Sequence, residues 1–182
     1  MEQRRLGGYG SGLCRNPTEA VTDPTPIRIL VDADACPVKA EIYRVAERYG
    51  LAVFVVTNGG VMVPRDPHIQ LVIVGDGFDA ADDWIAERCG ALDIVVTADI
   101  QLADRCLKAG ATVIGNTGRP FTKESIGMAL ASRALMADLR AMGTVGGGNK
   151  PMVAKDKSTF LSALDAAVVR LRRSPPPGAR LG

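Results

Sequence analysis

Ile27-Arg28-Ile29-Leu30-Val31-Asp32-Ala33-Asp34-Ala35-Cys36-Pro37 decides how the rest of the chain is read. Five residues dominated by branched apolar side chains stop at an acid, a second acid follows two residues on, and a proline comes next. A run apolar on both faces is buried on both, which is the pattern of a strand inside a parallel sheet rather than of an edge hairpin. Pro37 suits the first turn of a helix, where its missing N–H is not needed. Val38, Ile42, Val45 and Tyr49 then share one helical face, and Gly50 stops the helix. The same rhythm recurs. Further β-branched runs lie at Ala52–Val56, Gln70–Val74, Asp93–Thr97 and Ala111–Ile114. Ala81, Trp84, Ile85 and Cys89 form a second helical face, Leu102, Cys106 and Leu107 a third, and Gly90 and Gly110 precede the next strands. Strand, helix, strand in this order predicts an α/β fold: a three-layer sandwich with a mostly parallel central sheet of about five strands and helices on both faces. Asn58–His68, with Gly59, Gly60, Pro64 and Pro67, reads as a loop, which leaves the pairing of the second and third strands open. Two helices follow the sheet, Lys123–Met142 and Ser158–Arg172, the latter with a stripe of Phe160, Leu161, Leu164, Val168 and Leu171. Gly143–Lys157 between them is glycine-rich and then lysine-rich. Residues 1–26, rich in Gly, Pro, Thr and Arg, read as a disordered leader, 27–173 as a single domain, and 174–182 as a disordered tail.

Composition narrows the function classes. The chain has 182 residues, a net charge of +2, 47% hydrophobic and 4% aromatic residues. No apolar run approaches the ~20 residues of a membrane span. Four scattered cysteines and one histidine, His68, argue against a zinc site, a disulfide framework and a histidine-based triad, and fit a reducing cytoplasm. Charge is uneven. Residues 27–110 carry 13 acids and eight bases, whereas residues 111–182 carry four acids and 11 bases. An acidic body with a basic end points to a polyanionic partner.

In an open parallel sheet, ligands sit outside the carboxyl ends of the strands. The acids gather there. Asp32 ends the first strand with Asp34 beside it, Asp76 and Asp79 follow the third, and Asp82 and Asp83 open the next helix. Asp99 follows Val95-Val96-Thr97-Ala98, with Asp104 about one turn further on. Asp34, Asp79, Asp82, Asp83 and Asp99 also suit helix caps, where acids complement the dipole. Asp32, closing a buried strand, does not. Converging carboxylates repel unless a cation neutralises them, and hard oxygen donors without His or Cys select Mg²⁺ or Mn²⁺.

Val31-Asp32-Ala33-Asp34-Ala35-Cys36-Pro37, Phe78-Asp79-Ala80-Ala81-Asp82-Asp83-Trp84-Ile85 and Val96-Thr97-Ala98-Asp99-Ile100-Gln101-Leu102-Ala103 resemble the YaiI/YqxD family of bacterial proteins, from about Ile27 to Arg172. Beyond it, the pattern is similar to the PIN and NYN nuclease folds, which cut RNA with Mg²⁺ or Mn²⁺. That resemblance implies a PIN-like domain with Asp32, Asp82 or Asp83, and Asp99 as catalytic metal-site residues. Where those folds often place a second acid and an aromatic after the third Asp, this chain has Gln101 and Leu102, with Asp104 as the nearest substitute. Asp34, Asp83 and Asp104 complete the set of metal-ligand candidates.

The expected activity is hydrolysis of phosphodiesters, with RNA as the polymer. Asn58, Thr97 and Asn116 end or follow strands and suit orienting water or phosphate. Lys39, Arg65, Arg119 and Lys123 near the same rim, and Lys150, Lys155 and Lys157 beyond it, suit holding the backbone. Aromatic scarcity argues against base stacking. Two rivals stand beside this reading. One is an RNA-binding or scaffold protein that keeps the fold with a degraded site. The other is a phosphatase like those of the haloacid dehalogenase superfamily, with Asp32 as nucleophile and Gly75-Asp76-Gly77-Phe78-Asp79 as its late acidic motif. Gly143–Lys150 brushes against a P-loop, but Asn149 and Pro151 break it and a helix precedes it. Cys36 reads as a buried cap and His68 as a surface residue.

Overall fold

Strand order follows from which runs are apolar on both faces and how long their connections are. The computed structural model describes residues 27–34, 36–75, 77, 79–129, 131–132 and 152–174. Its elements are β1 (Arg28–Asp32), α1 (Lys39–Tyr49), β2 (Ala52–Thr57), β3 (Ile69–Ile73), α2 (Ala80–Arg88), β4 (Asp93–Val96), α3 (Ile100–Lys108), β5 (Thr112–Ile114), a helix α4 over residues 123–129, and α5 (Ala154–Arg173). All ladders are parallel, in the order β3-β2-β1-β4-β5. This is the α/β architecture expected from the sequence.

Alternation along each strand divides the core into two layers. Ile29, Val31, Val53, Val55, Ile94, Val96 and Ile114 meet α1 and α5 through Ile42, Val45, Phe160, Leu164 and Val168. Leu30, Val56, Val95 and Val113 point the other way, onto Ala81 and Ile85 of α2, Leu102, Ala103 and Cys106 of α3, and Ile126 of α4. The parallel pairing of β2 with β3 settles the connection that the sequence left open. A parallel crossover needs about a dozen residues, normally a helix. Here residues 58–68 cross as a loop, and Val61 and Val63 pack against the α1 side of the core in place of one.

Two local expectations are corrected. Pro37 lies before the helix, because Val38 is the N-cap of α1 and Ile42 N–H reaches its carbonyl. The last helix starts at Ala154 rather than Ser158, so Lys155 and Lys157 stand in its first turn and not on a flexible segment. Asp156 Oδ2 accepts the Val153 N–H at 3.1 Å, satisfying a helix-start donor and moving the boundary upstream. Helix α4 agrees with the start expected at Lys123. Leu130 and residues 133–142 of that expected helix, the leader, the tail beyond Ser174, Gly143–Gly148, Lys150, Asp76 and Phe78 lie outside the described residues.

Beyond β5 the chain turns back on itself. Gly115 N–H bonds the Arg119 carbonyl at 2.8 Å, and Pro120 bridges antiparallel to Ile114. Gly118 in this turn has φ +82°, and an added Cβ would fall 2.8 Å from Phe160 Cα. Only glycine gives both the left-handed backbone and this approach to α5.

Candidate functional site

The strand order reverses at β1. From β1 the chain moves outward through β2 to β3, then crosses back to place β4 on the other side of β1. In open parallel sheets ligands generally bind outside the strand ends at such a reversal, which here falls between β1 and β4. Asp32 is the last residue of β1, and Asp99 is the N-cap of α3 just past β4.

One buried threonine joins them. Thr97, 0% exposed, donates its hydroxyl to Asp32 Oδ2 at 2.9 Å and accepts the Asp99 N–H at 2.9 Å. Asp99 Oδ1 accepts the N–H groups of Gln101 at 2.6 Å and Leu102 at 3.1 Å. That cap engages Oδ1 alone and leaves Oδ2 outside it. A second threonine does the same on the other flank of β1. Thr57, at the end of β2 and 0% exposed, donates to Asp34 Oδ1 and accepts the Gly59 N–H at 3.0 Å. The Ala33 N–H bonds the Val56 carbonyl at 2.9 Å, which holds the segment leaving β1 against β2. Two strand-end hydroxyls therefore fix the two carboxylates of the β1 exit. Thr57 was missed in the sequence, where Asn58 was singled out instead. The signal was present: Val55-Val56-Thr57 repeats Val95-Val96-Thr97.

Electrostatics tie a third element to the rim. Burial pushes the Asp82 carboxyl up to about 6, and the negative charges of Asp32, Asp99 and Asp79 add to this. Asp32 is also raised, first by burial and further by Asp34 and Asp99, against the Thr97 hydroxyl and the Asp34 N–H, which favour its ionised form. Asp82 and Asp83 were interchangeable by sequence but have different surroundings. Asp83 is exposed and pairs with Arg105 at 2.7 Å, and Asp104 pairs with Lys108 at 2.6 Å. Asp79 holds the N-cap position of α2 without a side-chain capping bond, and Asp34 bonds a threonine rather than a helix N–H. Of the acids that suited caps, Asp99 is the one whose side chain caps a helix among the described residues.

The basic and polar candidates lie where strands end, with one correction: Arg65 is not at the rim, because the β2–β3 loop has by then crossed to the opposite end of the sheet, where the His68 carbonyl accepts the Val53 N–H at 2.8 Å and Ile69 pairs with Val53. Lys39 Nζ donates to the Ala33 carbonyl at 3.0 Å, directly behind Asp32. Asn58 and Arg65 are exposed on the β2–β3 loop, Asn116 is half-buried after β5, and Arg119 and Lys123 are exposed between β5 and α4. Lys155 and Lys157 are exposed on α5. His68 is exposed on the β2–β3 loop, and burial pushes the Cys36 thiol up to about 11, away from thiolate chemistry.

The donor set is hard oxygen throughout. Among the described residues, no three carboxylates, thiols or imidazoles close on one point as an all-protein cage would require. Mg²⁺ does not ask for such a cage: it keeps several waters and is commonly held by one or two carboxylates together with substrate phosphate. The Asp32–Asp99 pair fits that open mode and does not fit a closed three-carboxylate one.

A family model described as "Uncharacterized BCR, YaiI/YqxD family" matches residues 30–170. The chain belongs to the YaiI/YqxD family. Every acid of the rim falls inside the matched span. The chain is 61% identical to the UPF0178 protein of Nitrobacter winogradskyi over 150 residues, covering 82% of this chain and 96% of that one. It is 59% identical over 152 residues to a UPF0178 protein of a Bradyrhizobium strain, covering 84% and 93%. Against the UPF0178 protein of Azorhizobium caulinodans it is 58% identical over 151 residues, covering 83% and 95%. No solved structure matches this chain. The likeness to PIN and NYN nucleases rests on the sequence blocks alone.

Proposed function

We propose that this YaiI/YqxD protein is a divalent-cation-dependent phosphodiesterase acting on nucleic acid, with RNA as its substrate class and the β1–β4 strand ends as its site. The observation that carries the reading is the junction of Asp32 and Asp99 through Thr97 at the point where the strand order reverses. Asp32 closes a buried strand rather than a helix start, and Asp99, which caps α3, does so through Oδ1 alone. Asp93, by contrast, is buried at the opposite end of the sheet and is satisfied by Arg28 at 2.7 and 2.8 Å and by the Gly90 N–H at 2.8 Å. The rim acids share threonine hydroxyls and backbone N–H groups, and their mutual repulsion is left for a cation to relieve.

Asp32 and Asp99 are the residues that would hold Mg²⁺ or Mn²⁺. When bound, the ion supplies charge neutralisation at the phosphate and lowers the pKa of water. Thr97 fixes the orientation of the Asp32 carboxylate. Asp82, whose proton affinity burial and the charges of Asp32 and Asp99 raise while no ion is bound, is the carboxylate assigned to accept a proton from attacking water. Lys39, Arg119, Lys123, Lys155 and Lys157 supply positive charge for the polymer backbone around the rim.

The test is cleavage of a labelled RNA by the purified full chain with Mn²⁺ or Mg²⁺. Asp32→Asn and Asp99→Asn should each lower the rate by about 100-fold or more, the scale of losing metal-assisted charge stabilisation. Salt-sensitive RNA binding with no cleavage under any divalent ion would replace the hydrolase with a binding protein. A phosphoaspartate trapped at Asp32 would replace it with a phosphatase.

A further inference from the structure

The two edges of the sheet are finished differently. At β5 the chain folds back along its own edge, with the Phe121 N–H on the Val113 carbonyl at 2.9 Å and Pro120 bridged antiparallel to Ile114. At the other edge, among the described residues, β3 pairs with β2 alone. The ladder shows which groups are left. The Val53 N–H donates to the His68 carbonyl at 2.8 Å and the Val74 N–H to the Thr57 carbonyl at 3.0 Å, so the even-numbered residues of this segment face β2. Ile69, Leu71 and Ile73 therefore turn their N–H and C=O groups outward. The Asp66 carbonyl takes the Ile69 N–H at 3.1 Å, which leaves the Leu71 and Ile73 N–H groups and three carbonyls for a partner. Edge strands are normally blunted by a charge, a proline or a bulge. Ile69-Gln70-Leu71-Val72-Ile73 has neither charge nor proline, its register with β2 runs unbroken, and Ile73 is 68% exposed.

We infer that two copies of this chain pair β3 with β3, antiparallel about Leu71, into one continuous sheet, with Arg65 of each copy set against Asp79 of the other. The strand is complementary to itself in this register. A two-fold axis at Leu71 sets Leu71 opposite Leu71 and Ile69 opposite Ile73. The Leu71 residues then exchange two hydrogen bonds, and each Ile73 N–H meets an Ile69 carbonyl. Opposed residues share a face of the sheet, so the exposed Ile73 gains Ile69 as an apolar neighbour. Charge favours the same arrangement, because antiparallel pairing brings the start of one β3 beside the end of the other. Arg65 is exposed on the turn leading into β3 and Asp79 on the turn leading out of it, and among the described residues neither forms an ion pair within its own chain. Gly75, on the same exit, has open space around it. A second copy is thus the occupant that returns both the apolar strand and the opposite charge. Asp79 is one of the acids whose charge acts on Asp82, so the contact also carries to the rim a cation that each chain holds at the far end of its own sheet. The interface stands whether or not the rim cuts RNA.

Sedimentation equilibrium of the full chain up to about 100 μM, combined with amide hydrogen exchange, tests this. The chain should reach twice its monomer mass, and the Leu71 and Ile73 amides should exchange about 10-fold or more slowly in the dimer than on dilution. Ile73→Lys, which puts a charge on the edge at an exposed position, should weaken the dimer by about 10-fold or more with its circular dichroism unchanged. Arg65→Asp and Asp79→Arg should each weaken it by about fivefold, and the two together should restore it, which a folding defect would not do. A monomer at every concentration overturns the proposal. So does a dimer in which the Leu71 and Ile73 amides exchange freely, a double swap that restores nothing, or a monomer in which those amides are protected throughout because another segment of the chain covers β3. The two readings fail separately. A β3 dimer that cuts no RNA removes the hydrolase and keeps the interface, and a monomer that cuts RNA does the reverse.

Discussion

Asp82 concentrates the charge conflict of the rim in one side chain. Its carboxyl is held near 6 by burial and by Asp32, Asp99 and Asp79, whereas in the unfolded chain it returns to an ordinary carboxylate. The folded state therefore binds a proton that the unfolded state lacks between about pH 4 and 6. Its contribution favours folding at low pH and is lost as pH rises through about 6. Asp82→Asn removes the loss. Without divalent ions it should stabilise the protein at pH 7 by about 1 kcal/mol, the shift being discounted for the partial exposure of the group, and the gain should vanish below about pH 4. Thermal melts of both proteins across that range measure it, and a destabilised variant at pH 7 would contradict it. The two threonines show what a local reading misses. Thr57 and Asp34 are 23 residues apart and Thr97 and Asp32 are 65 apart, so each bond exists only once parallel pairing brings the strand ends level. Likewise Asp82 and Asp83 differ by one step along a helix, and Arg105 on another helix decides which of them is neutralised.

At the level of elements, β1, β2 and β4 were legible because burial on both faces explains their β-branched runs, whereas β3, equally apolar, lies at the sheet edge with half-buried side chains and an exposed Ile73. Helix boundaries were less so. Lys155, Asp156 and Lys157 look like a solvated linker by composition, yet Asp156 closes the start of α5 on Val153. The β2–β3 connection has a loop's composition, and nothing in its sequence announces that Val61 and Val63 cover the sheet. Gly118 is where two elements depend on one residue. Its left-handed backbone and the 2.8 Å approach to Phe160 leave no room for a methyl group. Gly118→Ala should destabilise the fold by about 2–4 kcal/mol, from backbone strain together with displacement of α5. Denaturant unfolding measures this, and a change below about 0.5 kcal/mol would show that the turn and α5 move apart freely.

For the whole molecule, topology places the acids and charge distribution surrounds them. The strand order reverses at β1, and the ends of the adjacent strands β1 and β4 bring Asp32 and Asp99 to that point. Asp32 stood out in the sequence as an acid closing a buried strand, whereas Asp99 read there equally as the helix cap that it forms. The basic residues near the rim belong to many separate turns and helix starts, so only the fold brings them to one end of the sheet. If they hold a polymer backbone, RNA affinity should fall linearly with salt on logarithmic axes. Arg119→Ala combined with Lys155→Ala should then flatten the slope by about 1.4, or about 0.7 for each phosphate that is no longer neutralised. An unchanged slope would place the polymer elsewhere.

A crystal structure of the full chain in saturating Mn²⁺, with the ion located by anomalous scattering, measures the cation site itself. An ion bonded at about 2.1 Å to carboxylate oxygens of Asp32 and Asp99, with water completing its shell, is the expected result. No anomalous peak at those strand ends, or a peak at Asp83 or Asp104 instead, would contradict it.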